Sequence, residues 1–500
     1  MLDTFLSLLQ PVTLLIILLS TTLGIILGAI PGLSGGLGVA LLLPITFGMD
    51  PHVGLAMLVS IWIGGVSGGM IGSILLGIPG SPSSIATCFD GYPMTRNGEA
   101  VKALGAAIVA SFIGTALSIL IAMFLSPFMA RLALRLGPWE YFSLGFCAIA
   151  LVAALARGSI FHGMAAAALG LLLSTVGFAP IDGYARFTFG SIYLSGGIDL
   201  IALMLGLFAL KQIVQDHARG EQQIPDVDVS QIKGFGVTLR EYRDNTWNII
   251  RSFMIGLWIG FLPGMGSALS NMVAYAQAKS ASKHPEKFGT GCVDGVFASE
   301  TSNNASVGGA LIPMVALGIP GDGTTAILLG GLMIHGIQAG PLLFANNPDI
   351  VYALFLTALL AAVVTLILQY FGMRLFPAIL KIPYHYLYPA IVVLGFIGVF
   401  VGSSTAFNYV LLLGFAGLGL VMDRVKLPVG PFILAFILGP MLELNLRRGI
   451  TYTDEGVWPF FTRPISALLL LVAAFSIVWP YLSPWLKERR NRLVRNNDGS

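Results

Sequence analysis

Apolar runs separated by short polar breaks fill almost the whole chain. They lie near 12–30, 37–48, 52–76, 103–126, 140–156, 159–178 and 196–214. The longest polar stretch follows, Lys211 to Asn248, and then runs near 249–262, 265–277, 304–318, 324–345, 350–372, 385–402, 405–422, 428–444 and 464–482. Several hold 18 or more residues, the length a helix needs to cross the hydrocarbon core of a bilayer. The pattern predicts an all-α polytopic membrane protein. The 37–48 run is too short to span unaided and reads as part of a re-entrant hairpin.

Composition agrees. Of 500 residues, 56% are hydrophobic and 10% charged, and mean hydropathy is +0.85. A soluble domain carries about 25% charged residues, so this chain cannot build a water-facing surface all round. Its expected surroundings are a lipid bilayer, with no nucleic-acid partner. The cysteines Cys88, Cys147 and Cys292 are scattered, which argues against a disulfide framework or a metal site. No GxxxxGK[ST] loop is present, so ATP hydrolysis by that route is excluded. The start, "MLDTFLSLLQ", has no basic n-region and no evident cleavage site, and reads as a retained first helix.

The runs repeat. "GAIPGLSG" from Gly28 matches "GFLPGMGS" from Gly260, 232 residues on. "LGIPGS" from Leu76 matches "LGIPGD" from Leu317, 241 on, and "GPWEYFSL" from Gly137 resembles "IPYHYLYP" from Ile382, 245 on. The same order with slowly growing offsets predicts a duplication. It divides the chain into a first membrane repeat (1–215), a polar cytoplasmic linker (216–248), a second membrane repeat (249–445), an additional transmembrane helix (446–485) and a basic cytoplasmic tail (486–500). Basic residues favour the cytoplasmic side. Lys487, Arg489, Arg490, Arg492 and Arg495 therefore place the C-terminus inside, while the N-terminus, without Lys or Arg before its first span, reads as outside. An odd number of crossings per repeat then gives two inverted-topology repeats with broken or re-entrant helices and one extra C-terminal transmembrane helix, a plan common among secondary transporters.

The breaks are the candidate chemistry. Within lipid, backbone N–H and C=O groups must be paired, and a Pro-Gly interruption frees several. Paired interruptions in related halves point to a transporter's binding site, where helix N-termini face anions. Substrate contacts are expected from Ser34 and Gly35, from Gly80, Ser81, Ser83 and Ser84, from Gly266 and Ser267, and from Gly321, Thr324 and Thr325. Plain capping of the following helices is the competing reading. The polar run at 299–306 supplies Glu300, Ser302, Asn303 and Asn304, oxygen donors suited to a coupling ion, or else a solvated loop entering a helix. Asp322 joins this set as a coupling-ion ligand or a helix cap. Asp90 is a further intramembrane charge. His335 reads as a local hydrogen-bonder before a proton relay, and Glu140, Glu443 and Asp182 read as interfacial.

"GAIPGLSGG…LLLPITFGM", "GGMIGSILLGIPGSPSSIATCFDGYPM" and "ETSNNASVGGALIPMVALGIPGDGTTAILLGGLMIHGIQAGP" resemble the large membrane subunit of the tripartite tricarboxylate transporters, the TctA-like proteins. The resemblance covers nearly the whole chain. It implies a multi-pass permease of the bacterial inner membrane, importing citrate-like di- and tricarboxylates by ion-gradient-driven alternating access. It also implies two partners, a small TctB-like membrane subunit and a TctC-like periplasmic solute-binding protein, with Na⁺ or H⁺ as coupling ion and no organic cofactor. Two rivals remain at this stage. One is a channel. The other is an intramembrane serine protease built on "GLSG", Gly32 to Gly35, a four-residue match in a glycine-rich chain.

Overall fold

Proline and glycine decide where the helices stop. In the computed structural model, which describes residues 2–155, 159–219, 236–382, 384–403 and 405–479, the regular structure is helical apart from one short antiparallel hairpin, Gly177–Phe178 with Ala185–Arg186. Among the described residues, six helices are long and apolar enough to cross a membrane: Pro11–Ala29, Pro51–Leu76, Ala100–Ala133, Pro348–Leu380, Phe407–Arg424 and Val429–Thr451. The protein is an all-α polytopic membrane protein. Residues 220–235 of the 216–248 linker and all of the 486–500 tail lie outside the described residues.

Packing divides the chain into two units, Met1–Leu134 with Asp199–Leu420, and Arg135–Ile198 with Val421–Ser500. In the first unit, five helices from the N-terminal half are α1 (Pro11–Ala29), α2 (Gly35–Leu42), α3 (Pro51–Leu76), α4 (Ile85–Arg96) and α5 (Ala100–Ala133). Five from the C-terminal half follow in the same order, α6 (Thr246–Phe261), α7 (Gly266–Ala281), α8 (Val293–Leu317), α9 (Gly323–Ile334) and α10 (Pro348–Gly372). A break separates α1 from α2 and α6 from α7. Another separates α3 from α4 and α8 from α9.

The breaks have the same local structure in both halves. α3 ends at Gly77 and α8 at Gly318, both left-handed, with φ of 68° and 73°. A residue with a side chain is strained there and glycine is not. After Ile-Pro-Gly, Ser81 and Asp322 each open a new helix with a reciprocal cap to the residue three further on, Ser84 and Thr325.

Packing inside each half repeats too. A Cβ on Gly24 or Gly28 of α1 would strike the backbone of Ile61 or Gly65 of α3, and one on Gly68 would strike Ile25. At the corresponding positions, Gly256 and Gly260 of α6 meet Ser302 and Ser306 of α8, and Gly309 meets Leu257. Small residues thus let these helices touch backbone to backbone, the usual means of association where lipid removes the hydrophobic drive.

The two broken pairs run in opposite directions. The start of α3 lies beside the end of α9, where a Cβ on Gly54 would sit 2.7 Å from His335 Nε2. The start of α8 lies beside α4: Asp90 Oδ1 accepts the N–H groups of Gly289, Gly291 and Cys292 at 2.8, 3.0 and 2.8 Å. Asn97 Nδ2 donates to the Thr290 carbonyl nearby, at 3.3 Å.

The second unit holds helices Pro138–Leu155, Ile160–Ser174, Val429–Thr451 and Pro464–Trp479. The last packs on the first through Cys147, Ala150 and Ala473, and Ser143 and Ser466 share a 2.7 Å hydrogen bond. The acids read as interfacial from sequence are paired here: Glu140 with Arg463, Glu443 with Arg186 and Arg447, and Asp182 with Arg447.

Candidate functional site

A helix start leaves backbone N–H groups without partners inside the helix. Four such starts meet at one cavity of about 220 Å³ in the first unit. Ser34, Gly35 and Gly36 come from the start of α2, and Ser81, Pro82 and Ser83 from the turn that opens α4. Met265, Gly266, Ser267 and Ala268 open α7, and Asp322, Gly323 and Thr324 open α9. Trp62, Gly65 and Val66 of α3, Gly264 and Phe208 complete the wall.

Glycine makes the convergence possible. A Cβ on Gly36 would stand 2.9 Å from Thr324 Oγ1, and one on Gly266 would stand 2.9 Å from Asp322 Cβ. Gly264 N–H donates to the Gly321 carbonyl at 2.6 Å, joining two breaks directly. Gly80 and Gly321 do not line the cavity. They press instead on Gly28 and Gly69, and on Gly260 and Ala310, at matching places in the two halves.

Every lining hydroxyl is on a small side chain, and among the described residues no lysine, arginine or histidine faces the cavity. Each helix N-terminus carries roughly half a positive charge. A helix-start cavity of this kind suits an anion held by N–H groups and hydroxyls. Some of the hydroxyls are partly engaged. Ser34 Oγ accepts the Leu37 N–H at 3.2 Å, and the Ser81 and Ser83 hydroxyls are 2.7 Å apart. Ser84 and Thr325 lie behind the wall as capping partners. Asp322 Oδ1 accepts both the N–H and the hydroxyl of Thr325 at 2.8 Å. The acid thus caps α9, one of the two roles open to it from sequence.

A second polar cluster lies one helical turn along α4 from Ser83. The polar run 299–306 is the interior of α8, wholly buried, and not a solvated loop. Glu300 Oε1 accepts from Thr87 Oγ1 at 2.5 Å, and Oε2 accepts from Ser111 Oγ at 3.1 Å and Asn304 Nδ2 at 3.3 Å. Thr115 Oγ1 donates to Asn304 Oδ1 at 3.2 Å. Asn271 Oδ1 accepts the Ala86 N–H at 2.8 Å, and its amide donates to the Ser299 carbonyl at 3.3 Å.

The coupling-ion candidates therefore differ in their surroundings. Glu300 and Asn304 share this cluster. Ser302 Oγ donates to the Ser270 carbonyl at 2.9 Å, Asp322 sits in the cavity wall, and Asn303 is buried in α8. Asp90 is a clamp, with its other oxygen taking the Tyr275 hydroxyl at 2.8 Å.

Sequence reasoning did not put Thr87, Ser111, Thr115 or Asn271 into one site. The available signal was weak: Ser111 and Thr115, one turn apart, flank Gly114 in a largely apolar helix.

Residues 14–434 match the family described as "Tripartite tricarboxylate transporter TctA family". The chain is 33% identical to an "Uncharacterized 52.8 kDa protein in TAR-I ttuC' 3'region" of Agrobacterium vitis, over 98% of this chain and 97% of that one. It is 31% identical to an "Uncharacterized protein in TAR-II ttuC' 3'region" of the same organism, over 49% of this chain and all of that one. No solved structure matches.

Proposed function

Since the chain belongs to the tripartite tricarboxylate transporter TctA family, we propose that it is the permease through which small organic di- and tricarboxylates enter the cell, with the four-helix-start cavity as the substrate site. One observation carries this reading: α2, α4, α7 and α9 aim their N-termini into one cavity, two from each half. A multiply charged carboxylate presents several oxygens around a small frame. Four separate groups of N–H donors, with hydroxyls beside them, can each take one end.

The antiparallel course of the two broken pairs supports reading the halves as inverted repeats. Their rocking about the shared cavity would then give alternating access. In this account the membrane is the bacterial inner membrane and the C-terminus is cytoplasmic. A small membrane subunit and a periplasmic solute-binding protein complete the transporter, and an H⁺ or Na⁺ gradient drives accumulation. The role is transport and not catalysis. Ser34, the nucleophile a protease would need, caps α2, and among the described residues no hydrogen bond joins it to a histidine.

Counterflow tests the proposal. Proteoliposomes containing the full chain and its partner subunits, preloaded with unlabelled citrate, should take up labelled citrate or another di- or tricarboxylate but not a neutral sugar. Failure with every carboxylate in such a panel would overturn it.

A further inference from the structure

Glu300 poses an electrostatic problem that the substrate site does not solve. It is wholly buried in a helix interior, and among the described residues no lysine, arginine or histidine pairs with it. An ionised carboxylate buried without a counter-charge is costly, and within a membrane protein such a residue is a functional candidate by default. The groups around it are hydroxyls and an amide N–H₂, placed as donors to both carboxylate oxygens.

The titratable and charged neighbours are few. On α4 they are Cys88 and Asp90, the latter committed to Tyr275 of α7 and to three backbone N–H groups. On α5 the basic residues are Arg131 and Lys102, the latter paired with Glu241 at 2.7 Å. On α6 the basic residue is Arg251, and among the described residues no ion pair joins it to Glu300.

Resting on the transport reading above, we propose that Glu300 is the proton-coupling site of the transporter, so that the driving ion is H⁺ and not Na⁺. The site takes a proton from the outer water, forming an O–H bond on one carboxyl oxygen, and releases it to the inner water after the carrier reorients. The wiring reaches the substrate. Thr87, its shortest partner, is on the helix whose opening turn lines the cavity. Asn271, on α7, bonds the Ala86 N–H and stands 3.5 Å from Thr87 Oγ1. An ionised Glu300 accepts from Thr87, Ser111 and Asn304 together. A protonated one must turn one of those contacts round, which changes how α4 and α5 hold α8.

Two measurements on the full chain test this. In proteoliposomes of the complete transporter, with citrate as probe, a pH gradient without Na⁺ should drive accumulation by the native protein. Glu300→Gln should keep citrate counterflow and lose accumulation, its internal concentration falling to the external value. Undiminished accumulation in Glu300→Gln, or native accumulation driven by a Na⁺ gradient alone, would overturn the proposal.

Infrared difference spectroscopy across a pH titration needs no transport. It should show one carboxyl band that Glu300→Gln lacks. Thr87→Val, which removes a donor to the ionised form, should move that band's midpoint to higher pH by about one unit. No such band, or a midpoint that Thr87→Val leaves in place, would overturn the proposal, including where Glu300→Gln fails to fold. If the native complex moves no carboxylate while the band titrates as described, the substrate reading fails and the proton site stands.

Discussion

Gly36 and Thr324 meet side by side in the wall of the cavity. A Cβ added to Gly36 would lie 2.9 Å from the Thr324 hydroxyl, although the two residues are far apart in sequence and belong to different halves. Gly36→Ala should therefore press on Thr324 and weaken carboxylate uptake by about tenfold, the scale of one misplaced methyl in a binding pocket. Thr324→Ala in the same chain should recover part of the loss, because the two changes share one contact. Initial rates of labelled citrate uptake in the single and double variants check this.

The cavity was largely legible in the sequence because its chemistry is local. Pro-Gly interruptions, the glycines before them and the small hydroxyls after them are read within ten residues of each other. Ser34, Ser81, Ser83, Ser267 and Thr324 could thus be nominated from the repeat alone, and the structure lines one cavity with all five. The Glu300 cluster was not legible in the same way. Its contacts join residues 213 and 189 apart, and nothing along the chain pairs Thr87 with Glu300. The run 299–306 looked as polar as a loop because its polarity is answered by other helices and not by water.

Asp90 holds the entry to α8. Its carboxylate receives three backbone N–H groups and the Tyr275 hydroxyl. Asp90→Ala would leave the buried Tyr275 hydroxyl unpaired and release three half-buried N–H groups, at a cost of about 2–3 kcal/mol. Tyr275→Phe removes one neutral donor and should cost about 1 kcal/mol. Reversible unfolding in detergent micelles should rank the two variants in that order.

Close helix contact in the N-terminal half depends on residues without side chains. A Cβ on Gly68 would meet the Ile25 backbone, whereas Gly414 has open space around it. Gly68→Leu should abolish recovery of folded protein, while Gly414→Leu should leave the yield unchanged. Monodispersity on size-exclusion chromatography separates these outcomes.

Outside the membrane, the Lys102 ammonium and the Thr238 N–H hold the Glu241 carboxyl below its ordinary range. A lowered folded-state value means that the pair contributes stability above the ordinary carboxylate range. The contribution disappears as pH falls through the lowered value. Exposure keeps the effect small. Glu241→Gln should therefore flatten the acid limb of the unfolding midpoint against pH and leave its alkaline limb in place.

Occupancy of the four-helix-start cavity is the central claim, and site-directed labelling tests it most directly. In the complete transporter, with Cys88, Cys147 and Cys292 replaced by serine, Ser83→Cys and Thr324→Cys would report from opposite halves. With a transported carboxylate at about ten times its Kd, both thiols should react roughly tenfold more slowly with a water-soluble thiol reagent. Unchanged rates at both positions, while the complex still transports, would contradict the account.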